Sequence, residues 1–391
     1  MGFAALASRC RTLALVCLAV CLLPGCGRSD APEVRLGFVA TFSGEGFRAG
    51  RDALDAARFA VETASREGRP ILGDRACRIR LYVRDDKDSP EGAARAVREL
   101  VARERVTAIL GPFSSEAADA AAKAAEAAGV PLVAPAATAQ VVTAGRPHIF
   151  RIAFTDAFQG MVLGRVALRD LGAKRVAVLA NEENLASRSL AEAFLRAFTA
   201  CGGQAALFPY ADRERDFQSV VQQALDFGPD VLFLPNPSKE VVLQGLAARK
   251  LGFAGTLLGG DAWDGPEISR LPAFSGALFV DHWREDGPGE RSRAYAAAFR
   301  QARQRPATEL GALTQDAVDV VLAAVTRAQS VAPEAVTRAL LAMPPFTGVT
   351  GHFDFVNDGN PVKSLYLTKV ADGGTRLETM VVPPPEPCPP R

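Results

Sequence analysis

From Val34 almost to the end of the chain, short apolar runs alternate with longer stretches in which every third or fourth position is apolar. Residues 34–40 form the first run. Residues 52–64 then set Leu54, Ala57, Val61 and Ala64 on one helical face. Ile79, Leu81 and Val83 alternate as in a strand, and Ala94, Val97, Leu100 and Val101 fit a helix begun at Pro90. Residues 106–110 predict a buried strand that stops at Gly111-Pro112. An alanine-rich helix over 117–128 and a strand over 130–134 follow. Strand and helix in alternation predict a mostly parallel sheet with helices on both faces.

A second series opens near Ile152. It predicts strands at 175–180, 205–210, 230–234, 256–258 and 277–280, with helices over 158–171, 187–200, 216–227 and 239–251. The pattern then turns helical over 291–304, 310–328 and 333–341, and returns to strand at 351–356 and 365–370. The fold class expected is α/β: two doubly wound lobes, each with a mostly parallel sheet, joined by a hinge of several chain crossings. A ligand would sit between them, at the carboxyl ends of the strands.

The first residues read differently. Arg9 and Arg11 precede a 12-residue apolar run, 12–23, which is short for a membrane span but fits a signal segment. It ends in Leu23-Pro24-Gly25-Cys26, which resembles a bacterial lipobox with Pro24 in place of the usual small residue. Cys26 is therefore the expected lipid anchor, held by acyl chains at about 0.8 kcal/mol per buried CH₂. The alternative is ordinary secretory cleavage nearby, with Cys26 an incidental thiol.

Composition adds limits. The chain has 391 residues, and about 350 remain beyond the leader and tail, more than one core comfortably serves. A formal net charge of +1 gives no field that would favour nucleic acid. No nucleophile elbow, phosphate loop, HExxH or dinucleotide fingerprint occurs, and His148, His282 and His352 stand apart, so no enzyme, cofactor or metal is expected. Cys77 and Cys201 have no metal-ligand spacing. They read as two buried thiols, with a disulfide between them the alternative.

Particular residues at the predicted strand ends carry a resemblance. Thr41-Phe42-Ser43-Gly44, Asp85-Asp86 with Pro90, Gly111-Pro112-Phe113-Ser114-Ser115 and Ala134-Pro135-Ala136-Ala137-Thr138 occur in that order. Phe150-Arg151, Asp156, Gln159-Gly160 and Gly259-Gly260-Asp261 follow them. From about Val34 to Val370 the chain resembles the type I periplasmic binding proteins, specifically the branched-chain amino-acid receptors of ABC importers.

The resemblance implies that positions matching Ser114, Ala136 and Thr138 bind a ligand's carboxylate and amino groups, and that Asp261 pairs with its ammonium. The physics agrees: a loop leading into a helix offers free N–H groups and a positive dipole end, and a desolvated carboxylate holds an ammonium strongly. Ser43 and Ser115 join the candidates from the same loops. The plainer readings are an N-cap for Ser114, a self-bonded loop hydroxyl for Thr138 and a turn cap for Asp261. Two departures alter the second lobe. Leu185 falls near the family's usual Tyr, and Pro235-Asn236-Pro237-Ser238 replaces a loop that often carries another. Leu185 and Asn236 are therefore candidates without an inherited role.

The expected division is a signal peptide with lipobox (1–26), a linker (27–33), an N-terminal lobe (34–152 with 284–361), a C-terminal lobe (153–283 with 362–382) and a Pro-rich tail (383–391). The expected function is capture of a small polar ligand, an amino acid or related compound, for a membrane permease of an ABC transporter, with no nucleic acid involved. A ligand-sensing receptor or an envelope scaffold lipoprotein on the same fold is the alternative.

Overall fold

The computed structural model describes residues 31–383 apart from positions 264 and 357. The leader, Cys26 and the tail beyond 383 lie outside the described residues. No helix among those described is long and apolar enough to cross a membrane.

The first sheet is built from β1 (Glu33–Ala40), β2 (Arg78–Asp85), β3 (Ala108–Leu110), β4 (Leu132–Ala134) and β5 (Ile149–Arg151). Its order is β2-β1-β3-β4-β5, all parallel. The alternation of strand side chains feeds two cores. Val34, Leu36, Phe38 and Ala40 face one way, against α1 (Phe47–Arg66) and two helices from late in the sequence, α9 (Glu309–Ala328) and α10 (Pro333–Leu341). Val39, Ile109, Leu132 and Ile149 face the other way, against α2 (Pro90–Glu99) and α3 (Ser115–Ala127).

The second sheet repeats the plan. Its strands are β6 (Arg175–Asn181), β7 (Gln204–Tyr210), β8 (Val231–Leu234), β9 (Thr256–Gly259) and β10 (Leu278–Asp281). They run β7-β6-β8-β9-β10, all parallel. β11 (Leu365–Ala371) and β12 (Gly374–Val381) extend the β10 edge antiparallel. One face packs on α4 (Asp156–Arg165) and α5 (Leu185–Ala200), the other on α6 (Gln218–Asp226) and α7 (Ser238–Lys250). Between β10 and β11 the chain returns to the first sheet through α8 (Glu290–Arg303), α9, α10 and a three-stranded sheet of Phe346–Gly348, Gly351–Val356 and Asn360–Lys363. The two sheets are thus joined by three passages of chain: after Arg151, after Asp281 and after Lys363.

Several elements differ from expectation at their ends. α1 begins at Phe47, five residues before the apolar face becomes readable, and Gly46 gives it no side-chain cap. β5 and the strand Asn360–Lys363 were not anticipated, since each carries a charged residue and no continuous apolar run. Cys77 is a free buried thiol as expected, but Cys201 is disulfide-bonded, which corrects the expectation of two free thiols.

Candidate ligand cleft

In each sheet the strand order reverses at one point, between β1 and β3 in the first and between β6 and β8 in the second. Loops leaving neighbouring strands there diverge to opposite faces and leave a crevice. The two crevices face each other across one cavity of about 860 Å³. Glu45 and Gly46 come from the loop after β1, Asp88 to Pro90 from that after β2, and Ser114, Glu116 and Ala117 from that after β3. Across from them stand Glu183 and Asn184 after β6, Asp212, Arg213 and Arg215 after β7, and Pro237, Lys239 and Glu240 after β8. A cavity of similar size, about 870 Å³, opens outside the first lobe. Phe59, Arg291, Asp319 and Phe346 help wall it, and it meets no strand-end loop of either large sheet, so the candidate site is assigned to the interlobe cavity.

Gly111 shapes the first-lobe rim. Its φ is +87°, and a β-carbon there would lie 2.1 Å from the Val39 carbonyl oxygen, so only glycine lets the β3 end pass this close to β1. The chain then reaches Ser114, exposed at the cavity. Its Oγ accepts the Ala117 N–H at 3.3 Å and caps α3. Ser115 turns inward instead, and its Oγ accepts the Ala139 N–H at 3.3 Å, tying this loop to the next. That next loop carries half-buried Ala136 and buried Thr138. It is stitched from below by Arg151, fully buried, whose guanidinium donates to the carbonyls of Ala137 and Ala139, both at 2.9 Å, and to Thr143 Oγ1 at 3.1 Å. Burial lowers this guanidinium to about 10.

Asp156 lies at the seam where the chain passes between lobes. Its N–H donates to the Thr138 carbonyl at 3.1 Å. Burial, and then the nearby Asp261 carboxylate, push its carboxyl up to about 7. Asp261 is clamped from two sides. Its Oδ1 accepts the Gln159 amide at 2.9 Å, and its Oδ2 lies 3.0 Å from His282 Nε2. The imidazole stacks on Phe154 with 3.7 Å between ring centroids. Burial lowers His282, so neutral imidazole donates its Nε2 proton to Asp261. The Asp261 side chain is 18% exposed and held below the usual range: burial raises it, but the bonds from His282 and Gln159 outweigh that.

The other candidates separate. Ser43 is exposed, and its hydroxyl donates to Asp85 at 2.9 Å, holding the β1 loop to the end of β2. Asn236 is corrected: it is 1% exposed and its amide is spent inside the lobe. Its Nδ2 donates to the Leu179 carbonyl at 2.8 Å and to Gln244 at 3.0 Å, and its Oδ1 accepts from Ser187 Oγ at 2.6 Å. It braces the β8 loop rather than facing the cavity. Leu185 starts α5, and its N–H donates to Glu116 across the cleft. Of the eight sequence candidates, only Ser114 lines the cavity itself.

Among the described residues two links thus hold the lobes together at the cleft: Glu116 with Leu185, and Lys239 with Glu45 at 2.8 Å. The second is a surface pair with both side chains 73% exposed, of a kind that contributes only about 0.2–1 kcal/mol, so it leaves closure reversible.

Sequence reading missed Gln159 and His282 as the clamp on Asp261. It also missed the charged residues of the wall. Their signal was position: the charged wall residues fall in the loops after predicted strands or in the first turn of the helix that follows, and the run Asp212-Arg213-Glu214-Arg215-Asp216 marks one such loop.

Paired α/β lobes with one strand order and a shared cavity at both switch points define a cleft-type binding protein. The chain belongs to the periplasmic binding protein family, whose profile matches residues 33–375. That family and the neighbours below are binding proteins rather than enzymes, and membership places the chain among exported, periplasmic proteins. An amino acid binding protein of Pseudomonas aeruginosa is 27% identical over 221 residues, covering 56% of this chain; the chain spans 58% of that relative's length. A leucine binding protein, LivK, of Thermotoga maritima has a TM-score of 0.83 at 29% identity, covering 90% of this chain and 99% of that one. The branched-chain amino-acid transporter substrate-binding protein LivJ of Streptococcus pneumoniae, in complex with isoleucine, has a TM-score of 0.79 at 25% identity, with 90% and 99% covered.

Proposed function

We propose that this protein is a lipid-anchored substrate-binding protein that captures an amino acid or related small polar compound between its lobes and delivers it to the membrane permease of an ABC importer. The observation that carries the reading is the single cavity at both switch points, with the capped start of α3 opening into it at Ser114. A helix start offers free N–H groups and the positive end of its dipole, a natural seat for a ligand carboxylate. Carboxylates on the same wall, Asp88 and Glu116 of the first lobe among them, supply acceptors for an ammonium. The first lobe binds first, and rotation about the three chain passages brings the second lobe onto the ligand and excludes water. The relatives named for amino acids support this ligand class.

The anchor reading rests on the LPGC sequence ending at Cys26. A lipid tether keeps the captured ligand near its membrane partner by raising effective concentration. Isothermal titration against the twenty amino acids tests the ligand reading, and silence from every member at millimolar concentration would refute it. Membrane fractionation of a Cys26→Ser variant tests the tether: the variant is expected in the soluble fraction, and its retention in the membrane would refute the anchor.

A further inference from the structure

The charges on the cavity wall say more than the family does. On the first lobe Glu45, Asp88 and Glu116 line it, and on the second Glu183, Asp212 and Glu240. Three basic side chains share the wall. Lys239 is already paired with Glu45 at 2.8 Å, and Arg213 leans on Asp212 at 3.7 Å. Arg215 donates to the carbonyl of Glu214 at 2.8 Å. Among the described residues no aromatic ring lines the cavity, and Leu243 is the largest apolar side chain on its wall.

Two of the second-lobe carboxylates are held in place. The amide of buried Asn181 donates to Asp212 at 3.3 Å and to Glu240 at 3.4 Å, and the Tyr210 hydroxyl donates to the other Glu240 oxygen. An apolar ligand tail pressed against this polar wall would strip water from carboxylates and return no hydrogen bond, which is unfavourable. An ammonium or guanidinium would replace that water with charge-assisted bonds. The first-lobe end has the opposite preference, because Ser114 and the start of α3 favour an anion.

We propose that the cavity takes a zwitterion with a second positive charge at its far end, of the chemical class of the basic amino acids. The proposal rests on the reading of the cavity as an amino-acid site. The carboxylate of such a ligand lies toward Ser114, and its distal cation lies among Glu183, Asp212 and Glu240.

Isothermal titration of the protein with arginine, lysine, leucine and citrulline, the last an uncharged match to arginine in shape, separates the two readings. Arginine or lysine is expected to bind at least tenfold tighter than citrulline or leucine, a difference of about 1.4 kcal/mol. That margin should shrink as salt rises from low to physiological strength. A Glu183→Gln, Asp212→Asn variant, altered only at exposed carboxylates, should lose most of the margin while keeping its melting temperature. Leucine or citrulline binding as tightly as arginine would overturn the proposal and leave the amino-acid reading standing. So would a variant with the full margin intact. Failure of both arginine and lysine to bind would overturn the proposal alone, whereas silence from all twenty amino acids would overturn the amino-acid reading with it.

Discussion

Replacing Arg151 by Met removes the guanidinium that supports the 136–139 loop while keeping much of the side chain's volume. Arg151 is 0% exposed and makes three donor contacts, to the carbonyls of Ala137 and Ala139 and to the Thr143 hydroxyl. Thr143 keeps a second partner, since its Oγ1 donates to Asn360 Oδ1 at 3.0 Å, so its loss is small. The two carbonyls stay inside the fold without that donor, at about 1–3 kcal/mol each. Against this, the substitution ends the burial of a cation whose pKa is already lowered to about 10. The two effects together leave an expected loss of about 2–4 kcal/mol, well above that of an ordinary surface change. Urea unfolding followed by circular dichroism measures it, and isothermal titration measures the ligand. Stability should fall by that amount, and affinity should fall with it because Ser115 ties this loop to the Ser114 turn at the cavity. A loss below about 0.5 kcal/mol, the range of surface substitutions, would show that the loop is held by something else and refute the reasoning.

Two further predictions concern the same seam. Burial raises the folded pKa of Asp156 to about 7, above the unfolded value of about 3.9, so this residue favours the fold in acid and loses that contribution as pH rises from about 4 to 7. Asp156→Asn should remove this dependence, so that the variant gains on the natural protein by about 1–3 kcal/mol between pH 4 and 7 in urea titrations; parallel curves would count against the buried carboxyl. Gly111→Ala should lower stability by about 2–4 kcal/mol, because the new β-carbon meets the Val39 carbonyl and φ is positive. A melting temperature unchanged by that substitution would mean the β3 end can move away from β1.

Much of the fold was legible because it rests on local repetition. The core strands β1, β6 and β8 read as apolar runs, since parallel strands covered on both faces need no polar side. The helices read from their periodic faces. The short strand β5 did not, since only two apolar residues, Ile149 and Phe150, precede the charged Arg151. The site was legible only as far as backbone geometry carried it. Gly111-Pro112 through Ser114 could be placed at a helix start from residue type alone. Asn236 looked like a free polar group in a loop because its partners, Leu179 and Ser187, lie 57 and 49 residues away in sequence. His282 looked isolated for the same reason: Asp261 is 21 residues distant and meets it only when β9 and β10 pair. Cys201 gave no sign of its disulfide in the sequence around it.

A small molecule held between the lobes is what the cleft is built to carry. Mass spectrometry of the freshly purified protein under native conditions, and again after denaturation, tests this directly when run beside a Ser114→Trp variant whose indole fills the mouth of the cavity. The natural protein is expected to carry an adduct of amino-acid mass that denaturation releases, and the variant, folded by circular dichroism, to carry none. An equal adduct on both proteins would place the ligand elsewhere and contradict the assignment of the cleft.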